Sequence, residues 1–290
     1  MSFKPIIIVA GEPYSVFLEI FFKTLKVKKI KKPIILIASY HLVVAQMKVL
    51  NFNFKINIIT KNIPQTKDLE NTAINLINVD FKFKEKFDKI SSKSNSYINK
   101  SFEIALNLLK TNKFSGLING PISKKSFLAG KFLGITEYLA FKTNQKNKVA
   151  MLIYNKHLSV SPITTHLSLK DVHKHISKKK IFTHVEHITN FYKQKFNKIP
   201  KIAITGLNPH CESNFKNSEE DLIIIPAIKK LKLKNIKVDG PFPADTIFIK
   251  ENLKNYDVII GMYHDQVLSP MKALFNFDAI NITLGLPFTR

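Results

Sequence analysis

Short runs of apolar, largely β-branched residues recur along the chain, and longer amphipathic segments separate them. PIIIVA at residues 5–10, PIILIA at 33–38 and YDVII at 256–260 are three such runs. Each has the length of one buried strand, and strands that alternate with amphipathic helices build a largely parallel sheet. The pattern predicts an α/β fold, whose ligands are expected beyond the carboxyl ends of the strands.

Local signals between these runs predict helices and a hairpin. In SYINKSFEIALNLLKTNK, residues 96–113, the apolar residues share one helical face. VAMLIYNKHLSVSPI, residues 149–163, is typical of two strands joined by a tight turn. Ser168 and Asp171 have the spacing of a capping box, and NSEED at 217–221 combines a cap with an acidic first turn. We expect a helix to begin at each of these two places.

Length and composition set the limits on domain organisation. With 290 residues and 45% hydrophobic content, the chain can bury a sizeable core as one large domain or two smaller ones. The sequence has no internal repeat or low-complexity linker, and the boundary is expected near Gly116 to Ser123, around the strand-like segment GLING. We predict a first α/β domain at residues 1–118 and a second at 119–290.

Membrane and secretion signals are not visible in the sequence. No segment approaches the roughly 18 consecutive apolar residues of a membrane span, and the apolar run in the opening MSFKPIIIVAGEP is too short for a signal peptide. The single cysteine, Cys211, allows no internal disulfide and no cysteine-based zinc cluster. We expect a cytoplasmic protein with no membrane partner, in which a metal would be bound by histidines and carboxylates.

The net charge of +24 raises the question of nucleic-acid binding. Of the 45 basic Lys and Arg residues, only Arg290 is an arginine. Proteins that bind phosphates or recognise bases favour arginine, because its planar guanidinium forms bidentate hydrogen bonds. The lysines are also scattered along the whole chain rather than gathered into one stripe. Nucleic acid is therefore disfavoured as a partner.

Three of the nine histidines stand at the end of a strand-like segment or in the loop after it. They are His166 in PITTHLSL, His210 in GLNPHCES and His264 in GMYHDQ. Because the carboxyl ends of parallel strands meet at one edge, these residues can converge, and three neutral imidazoles form a catalytic divalent-metal site. The alternative is that each polar turn only satisfies loose backbone groups. Spacing alone does not separate the two interpretations.

Further polar residues near these histidines suit a phosphorylated, carboxylated small molecule. Asp245 lies in the loop PFPADTIF, and Asp265 directly follows His264. The Lys272 ammonium offers a point charge for a phosphate, and the Arg290 guanidinium offers bidentate hydrogen bonds to a phosphate or carboxylate. Among 44 lysines, Lys272 taken alone is better explained as a solvated surface residue.

Taken together, the segments GLNPH, PADT, YHDQ and NITLGLPF.R, in this order and joined by NGP and TTHL.L, resemble the 4-hydroxythreonine-4-phosphate dehydrogenase family of pyridoxal phosphate biosynthesis. The resemblance covers the chain from Gly11 to its last residue. It implies His166, His210 and His264 as ligands of a divalent metal, with Asp245 and Asp265 as catalytic or supporting carboxylates. It also implies contacts to the substrate from four further residues: Thr136, Lys272, Asn281 and Arg290.

The resemblance carries expectations about fold and chemistry. It implies two α/β/α domains flanking a cleft, similar to isocitrate dehydrogenases rather than to a Rossmann domain, and a homodimer with a shared active site. It implies NAD, with NADP as the alternative, and a divalent metal, with Zn²⁺ expected and Mg²⁺ or Co²⁺ as alternatives. The reaction implied is oxidation of 4-phosphooxy-L-threonine to 2-amino-3-oxo-4-phosphobutanoate, which loses carbon dioxide to give 3-amino-2-oxopropyl phosphate.

Three departures from the family pattern leave alternatives open. Tyr14 and the residues after it replace a glycine-rich continuation of GEP, Ile135 stands where the family commonly has histidine before Thr136, and the sequence stops at Arg290 where family members continue. We expect a truncated chain. The alternative functions are a paralogue acting on 4-phospho-D-threonate or 4-phospho-D-erythronate and, more remotely, a basic nucleic-acid-binding protein or a homologue that has lost catalysis.

Overall fold

The computed structural model of the chain describes residues 4–28, 30, 32–146, 148–211 and 217–290. Two compact units are present, one formed by residues 1–138 with 287–290 and the other by residues 139–286. Both are α/β units, which confirms the predicted fold class. Among the described residues, no helix combines the length and the apolar character that crossing a bilayer requires.

The first unit contains a five-stranded sheet in which every neighbouring pair is parallel, in the order β3-β4-β2-β1-β5. Its strands are β1 (Ile6–Val9), β2 (Ile34–Ala38), β3 (Ile56–Ile58), β4 (Ile74–Asn78) and β5 (Gly116–Asn119). The helices are α1 (Phe17–Val27), α2 (Tyr40–Val49), α3 (Asn95–Leu109) and α4 (Ile135–Lys142), whose last residues belong to the second unit. Side chains of α1 and α2 share a core with alternate residues of β1, β2 and β4. The apolar face of α3 contacts β1, β2 and β5.

The second unit contains a six-stranded mixed sheet in the order β11-β6-β7-β10-β8-β9. Its strands are β6 (Ala150–Tyr154), β7 (Ser159–Pro162), β8 (Ile202–Thr205), β9 (Val238–Phe242), β10 (Val258–Gly261) and β11 (Ile280–Leu284). The helices are α5 (Lys178–Phe196), α6 (Ile225–Leu233), α7 (Ala244–Ile247), α8 (Lys250–Leu253) and α9 (His264–Phe275). Strands β6, β7 and β11 pair antiparallel, and the neighbours β7-β10-β8-β9 are all parallel.

Helices cover both faces of the second sheet. Val258 and Ile260 of β10 pack in one core with α5 and α6, whereas Ile259 between them packs with α9 in another. Successive side chains of a strand point to opposite faces, so a fully apolar strand requires cover on both sides. The predicted hairpin is confirmed by the antiparallel pairing of β6 with β7.

The division between the units falls after residue 138 rather than at the expected 118/119. Beyond β5 the chain stays bonded to the first unit, because Gly120 N donates to Val9 O at 2.8 Å and Glu12 N donates to Pro121 O at 2.9 Å. The last residues also return to this unit, where Leu117 N donates to Thr289 O at 2.9 Å. A boundary predicted from composition takes no account of backbone hydrogen bonds between segments that are far apart in the sequence.

One local prediction is wrong. The segment after Ser168 forms only a short 3₁₀ turn, Leu169–Asp171, and the Ser168 side chain makes no cap hydrogen bond. Asp171 N instead donates to the backbone carbonyl of Ser168 at 2.9 Å. The long helix of this region, α5, begins later and is capped by Ser177, whose hydroxyl accepts from Lys180 N.

Candidate active site

The three singled-out histidines follow three neighbouring parallel strands of the second unit. His166 lies in the loop after β7, His210 in the 3₁₀ turn Pro209–Cys211 after β8, and His264 is the first residue of α9 after β10. Strand β10 lies between β7 and β8 in the sheet. Parallel strands present their carboxyl ends at the same edge, so all three loops emerge there.

The loops that carry His166 and His264 are joined by backbone bonds that extend the sheet. Ile163 N donates to Gly261 O at 2.8 Å, and Thr164 N donates to Met262 O at 3.1 Å. The Thr164 hydroxyl donates to the same Met262 carbonyl at 2.7 Å. The ring centroids of His166 and His264 lie 6.2 Å apart.

His264 has a carboxylate partner on the neighbouring residue. Its Nδ1 lies 2.8 Å from Asp265 Oδ1, and because a carboxylate only accepts, Nδ1 carries the proton in this pair. That tautomer leaves Nε2 as the basic nitrogen, as in histidines that bind metals. Both side chains are partly or largely solvent-exposed, with 35% and 79% of their surfaces accessible, so the pair orients the ring without strong electrostatic coupling.

A buried carboxamide joins the ends of β8 and β10. Gln266 Oε1 accepts from Met262 N at 2.6 Å and from the Thr205 hydroxyl at 2.9 Å, and Gln266 Nε2 donates to Gly206 O at 2.8 Å. The first turn of α9 lies so close to the end of β10 that a glycine is needed there, because a Cβ on Gly261 would lie 2.5 Å from Val267 Cγ1. Sequence reasoning assigned Gln266 no role, although it belongs to the YHDQ segment.

A buried carboxylate shapes the loop that leads to His210. Glu220 Oε1 accepts from the backbone N–H groups of Leu207 at 2.7 Å and Asn208 at 2.9 Å, and Oε2 accepts from Asn208 Nδ2 at 2.9 Å. Burial acts to raise the pKa of Glu220, but these hydrogen bonds outweigh it and hold the pKa below the usual value. The sequence suggested only an acidic first turn here, since its pattern does not show that Glu220 points inward.

His210 and Cys211 both have left-handed backbone, with φ of 57° and 58°. Non-glycine residues rarely adopt this conformation, and consecutive examples mark a turn that the surrounding structure enforces. The GLNPH segment is therefore held in a defined shape as far as Cys211, and residues 212–216 lie outside the described part of the chain.

A cleft of about 640 Å³ lies beside His210 in the second unit. Asp245, Glu219 and Tyr263 contribute to its walls, together with apolar residues such as Leu207. Asp245 was expected in a loop, but it lies in the first turn of α7 with its side chain exposed. The structure thus places Asp245 and His210 at one cavity.

Two of the three histidines predicted to bind a metal, His166 and His264, lie near each other. Within the part of the chain that the structure describes, no group of three or more His, Cys, Asp or Glu side chains is close enough to hold a metal ion. The donors nevertheless fit a divalent metal, since His166 and His264 approach each other and His264 presents Nε2 with Nδ1 bonded to a carboxylate. The three-histidine ligand set stays a prediction.

Two expected substrate contacts of the second unit lie away from the histidine loops. Lys272 is exposed in the last turn of α9, with its ammonium 5.9 Å from the Phe277 ring centroid. Eight residues of helix separate it from His264, a rise of about 12 Å. Asn281 is exposed on β11, the edge strand of the sheet.

The other two expected contacts meet in the first unit. Arg290 Nη1 donates to the Thr136 hydroxyl at 3.2 Å, and Arg290 Nε donates to Asn119 Oδ1 at 2.7 Å. Burial lowers the pKa of the guanidinium to about 10, against the charge of Glu137, which acts to raise it. Ile135 is half-buried beside Thr136 at the start of α4. Asn119 belongs to the NGP segment, and no sequence pattern indicated that it would bond to Arg290.

Glu12 of the GEP segment is a second buried carboxylate. It accepts from the Ser94 hydroxyl at 2.9 Å and from Ser123 N at 3.2 Å, and burial raises its pKa despite these bonds. It therefore ties the loop after β1 to the segment after β5. The altered residues after Pro13 lead into α1, and the hydroxyl of Ser15, which precedes the helix, donates to Glu12 O at 2.8 Å.

The model of the family described as pyridoxal phosphate biosynthetic protein PdxA matches residues 29–290. A 4-hydroxythreonine-4-phosphate dehydrogenase of a Sulfurihydrogenibium species is 36% identical over 98% of this chain and 87% of the relative. A D-threonate 4-phosphate dehydrogenase of Cupriavidus necator is 31% identical over 70% of this chain and 62% of the relative. Some other matches span little more than half of the relative's length.

A solved structure of a protein with the same family name has a similar fold. The crystal structure of 4-hydroxythreonine-4-phosphate dehydrogenase from Klebsiella pneumoniae has a TM-score of 0.84 and is 28% identical. The alignment covers 99% of this chain and 89% of that chain. The expected fold class is therefore supported by the neighbours as well as by the two sheets.

Proposed function

The chain belongs to the PdxA family of pyridoxal phosphate biosynthetic proteins, whose relatives are dehydrogenases, and on that premise we propose that it oxidises 4-phosphooxy-L-threonine. The proposal includes NAD as the hydride acceptor, with NADP as the alternative, and a divalent metal, with Zn²⁺ expected. The observation that carries it is the exit of the His166, His210 and His264 loops from three adjacent parallel strands, two of them with rings 6.2 Å apart.

The chain's own residues have separate tasks in this proposal. His166, His210 and His264 would hold the metal, and Asp265 keeps the Nε2 of His264 basic by accepting from Nδ1. When bound, the metal would supply Lewis acidity toward the C3 hydroxyl group, and the nicotinamide would supply a hydride acceptor. Asp245, exposed on the cleft beside His210, is the proposed acceptor of the hydroxyl proton.

In this proposal, residues with cationic or neutral polar side chains bind the charged groups of the substrate. Arg290 carries a buried charge beside the hydroxyl of Thr136, and both would contact the substrate. The family pattern adds Lys272 and Asn281 as proposed contacts, although both lie away from the histidine loops. A buried guanidinium gains most from an anion such as a carboxylate or phosphate. The proposed product, 2-amino-3-oxo-4-phosphobutanoate, is a β-keto acid, which loses carbon dioxide to give 3-amino-2-oxopropyl phosphate.

A second candidate is oxidation of 4-phospho-D-threonate or 4-phospho-D-erythronate. Relatives named for D-threonate 4-phosphate match this chain at 30–33% identity. Ile135, next to Thr136, offers an apolar side chain where the family pattern commonly has histidine. Loss of a hydrogen-bonding group at this position favours a substrate that differs in its C2 substituent.

The test is NADH formation by the purified protein with the three phosphorylated candidates, measured with and without added metal. Turnover is expected with 4-phosphooxy-L-threonine above the two sugar-acid phosphates, reversible loss with a chelator, and a lower rate with NADP.

Single replacements of His166, His210 and His264 by Ala should each abolish turnover. His175→Ala is the matched control, because His175 is exposed in the same unit and its Nδ1 lies 2.9 Å from the Asp171 carbonyl. Full turnover in metal-free protein would refute the metal site. Salt-sensitive DNA binding without turnover on any candidate would favour the basic-protein alternative.

A further inference from the structure

We propose that Gln266 is a positioning residue that sets the spacing of the histidine loops by joining the ends of β8 and β10 through its carboxamide. The inference rests on the proposed metal site and goes beyond it, because it assigns Gln266 to positioning the metal ligands and not to binding the metal. Its side chain is buried, with 9% of the residue surface exposed.

The backbone of Met262 is the point where the bonds converge. Its N–H donates to Gln266 Oε1 at 2.6 Å, and its carbonyl accepts from both the N–H and the hydroxyl of Thr164. Met262 is fully buried between the last ladder pairs of β10 and the start of α9. The segment after β7 is thus bonded to the carbonyl of Met262, and the Gln266 side chain is bonded to its N–H.

The Gln266 amide extends this arrangement to β8. It accepts from the Thr205 hydroxyl at 2.9 Å and donates to Gly206 O at 2.8 Å, so that three bonds use both of its polar atoms. Thr205 is completely buried. In such a setting each of these groups needs a partner within the protein, so the side chain has one favourable placement.

Each histidine lies a few residues beyond one of these fixed points. His264 follows Met262 by two residues, His166 follows Thr164 by two, and His210 follows Gly206 by four. Loops that start from fixed points have fewer conformations to lose when their side chains converge on one ion. The geometry therefore points to a role in preorganising the metal ligands.

Helix capping alone does not account for these contacts. Gln266 lies in the first turn of α9, where no side chain caps the N-cap residue Tyr263, and its one local bond is to Met262 N, the residue before the N-cap. The bonds to Thr205 and Gly206 cross to a neighbouring strand about 60 residues earlier in the chain. A capping role would need only the first.

The test compares Gln266→Leu with Gln46→Leu in the full chain. Gln46 is a buried glutamine of the first unit whose Nε2 donates to two backbone carbonyls, Pro13 O at 3.0 Å and Lys86 O at 2.8 Å. Both variants lose buried hydrogen bonds and should lose thermal stability. Only Gln266→Leu should weaken Co²⁺ binding, by roughly 10- to 100-fold in competition with a chelator, and alter the visible absorption of bound Co²⁺.

A second pair of variants keeps the test informative if Gln266→Leu does not fold. Thr164→Val removes only the hydroxyl that donates to Met262 O, and it should weaken Co²⁺ binding by several-fold. Thr189→Val is its control, since among the described residues the buried Thr189 hydroxyl has no hydrogen-bond partner.

The outcomes separate this inference from the proposed function. Wild-type protein that binds no Co²⁺ would overturn the metal site and the positioning role together. Wild-type affinity and an unchanged Co²⁺ spectrum in Gln266→Leu, or in Thr164→Val where the former cannot be made, would overturn the positioning role and leave the metal site standing. Equal losses of Co²⁺ affinity in Gln266→Leu and Gln46→Leu would show that reduced stability alone weakens metal binding. That result would also overturn the positioning role.

Discussion

Replacing Glu220 with glutamine is expected to destabilise the second unit although it changes the side chain very little in size. In the native protein one carboxylate oxygen accepts from the backbone N–H groups of Leu207 and Asn208, and the other accepts from the Asn208 amide. Glutamine keeps one acceptor for the two backbone groups. Its NH₂ group faces the NH₂ of Asn208, where neither can accept.

The magnitude follows from these three bonds. The two backbone bonds fall from the range of charged hydrogen bonds, about 1.5–3 kcal/mol each, to that of neutral ones, about 0.5–1.5 kcal/mol. The third bond is lost, and the easier burial of a neutral amide offsets part of the total. We expect the free energy of unfolding to decrease by about 2–3 kcal/mol at neutral pH.

The effect should depend on pH with a definite sign. Because the folded-state pKa of Glu220 lies below the ordinary value of 4.5, its contribution is complete above that value and is lost as the pH falls through the folded-state pKa. The difference between Glu220→Gln and wild type should therefore shrink in acid. Urea unfolding at neutral pH and at progressively lower pH measures it.

Glu219→Gln is the matched control. Glu219 is the preceding carboxylate, and it contacts the same loop through one bond, from Asn208 Nδ2 to Oε2 at 3.0 Å. It is less buried than Glu220, so its replacement should cost about 1 kcal/mol or less. Equal losses in the two variants, or a Glu220→Gln difference that persists in acid, would refute the reasoning.

Three further predictions follow from the proposed site. Arg290→Lys should lower kcat/KM roughly 10- to 150-fold, equivalent to about 1.5–3 kcal/mol, because one ammonium cannot reach both Asn119 Oδ1 and Thr136 Oγ1, and unaltered steady-state kinetics would contradict this. Asp265→Asn should weaken metal binding about tenfold in a chelator competition, since the His264 ring loses its carboxylate partner, and unchanged affinity would argue against that pairing. Light scattering should give a particle of twice 33.2 kDa, and a fully active monomer would rule out a shared active site.

The main elements of the fold were predictable because they depend on local patterns. The apolar runs that begin at Pro5, Pro33 and Tyr256 each contain a strand, and the amphipathic stretch at 96–113 contains α3. Alternation of strands and helices limits the topology to a largely parallel sheet. The placement of His166, His210 and His264 at strand ends followed from the same patterns.

The errors arose where a side chain could bond in more than one direction. Ser168 and Asp171 have the spacing of a capping box, but the turn closes through backbone atoms and the longer helix is capped by Ser177. Glu220 does lie in the predicted acidic first turn, but the pattern did not show that its side chain is 1% exposed and bonded to the loop after β8. Spacing along the chain does not record the direction in which a side chain points.

The sequence by itself determined the α/β class, the position of most strands and the family, because strand and helix periods and ordered motifs are properties of contiguous residues. Only the tertiary structure decided which strands are neighbours and which polar groups meet between them. Gln266 reaches Thr205, and Arg290 reaches Asn119 and Thr136, across separations of 61, 171 and 154 residues. Such contacts depend on how the whole chain packs, since a buried polar group bonds to whatever partner the fold brings within reach.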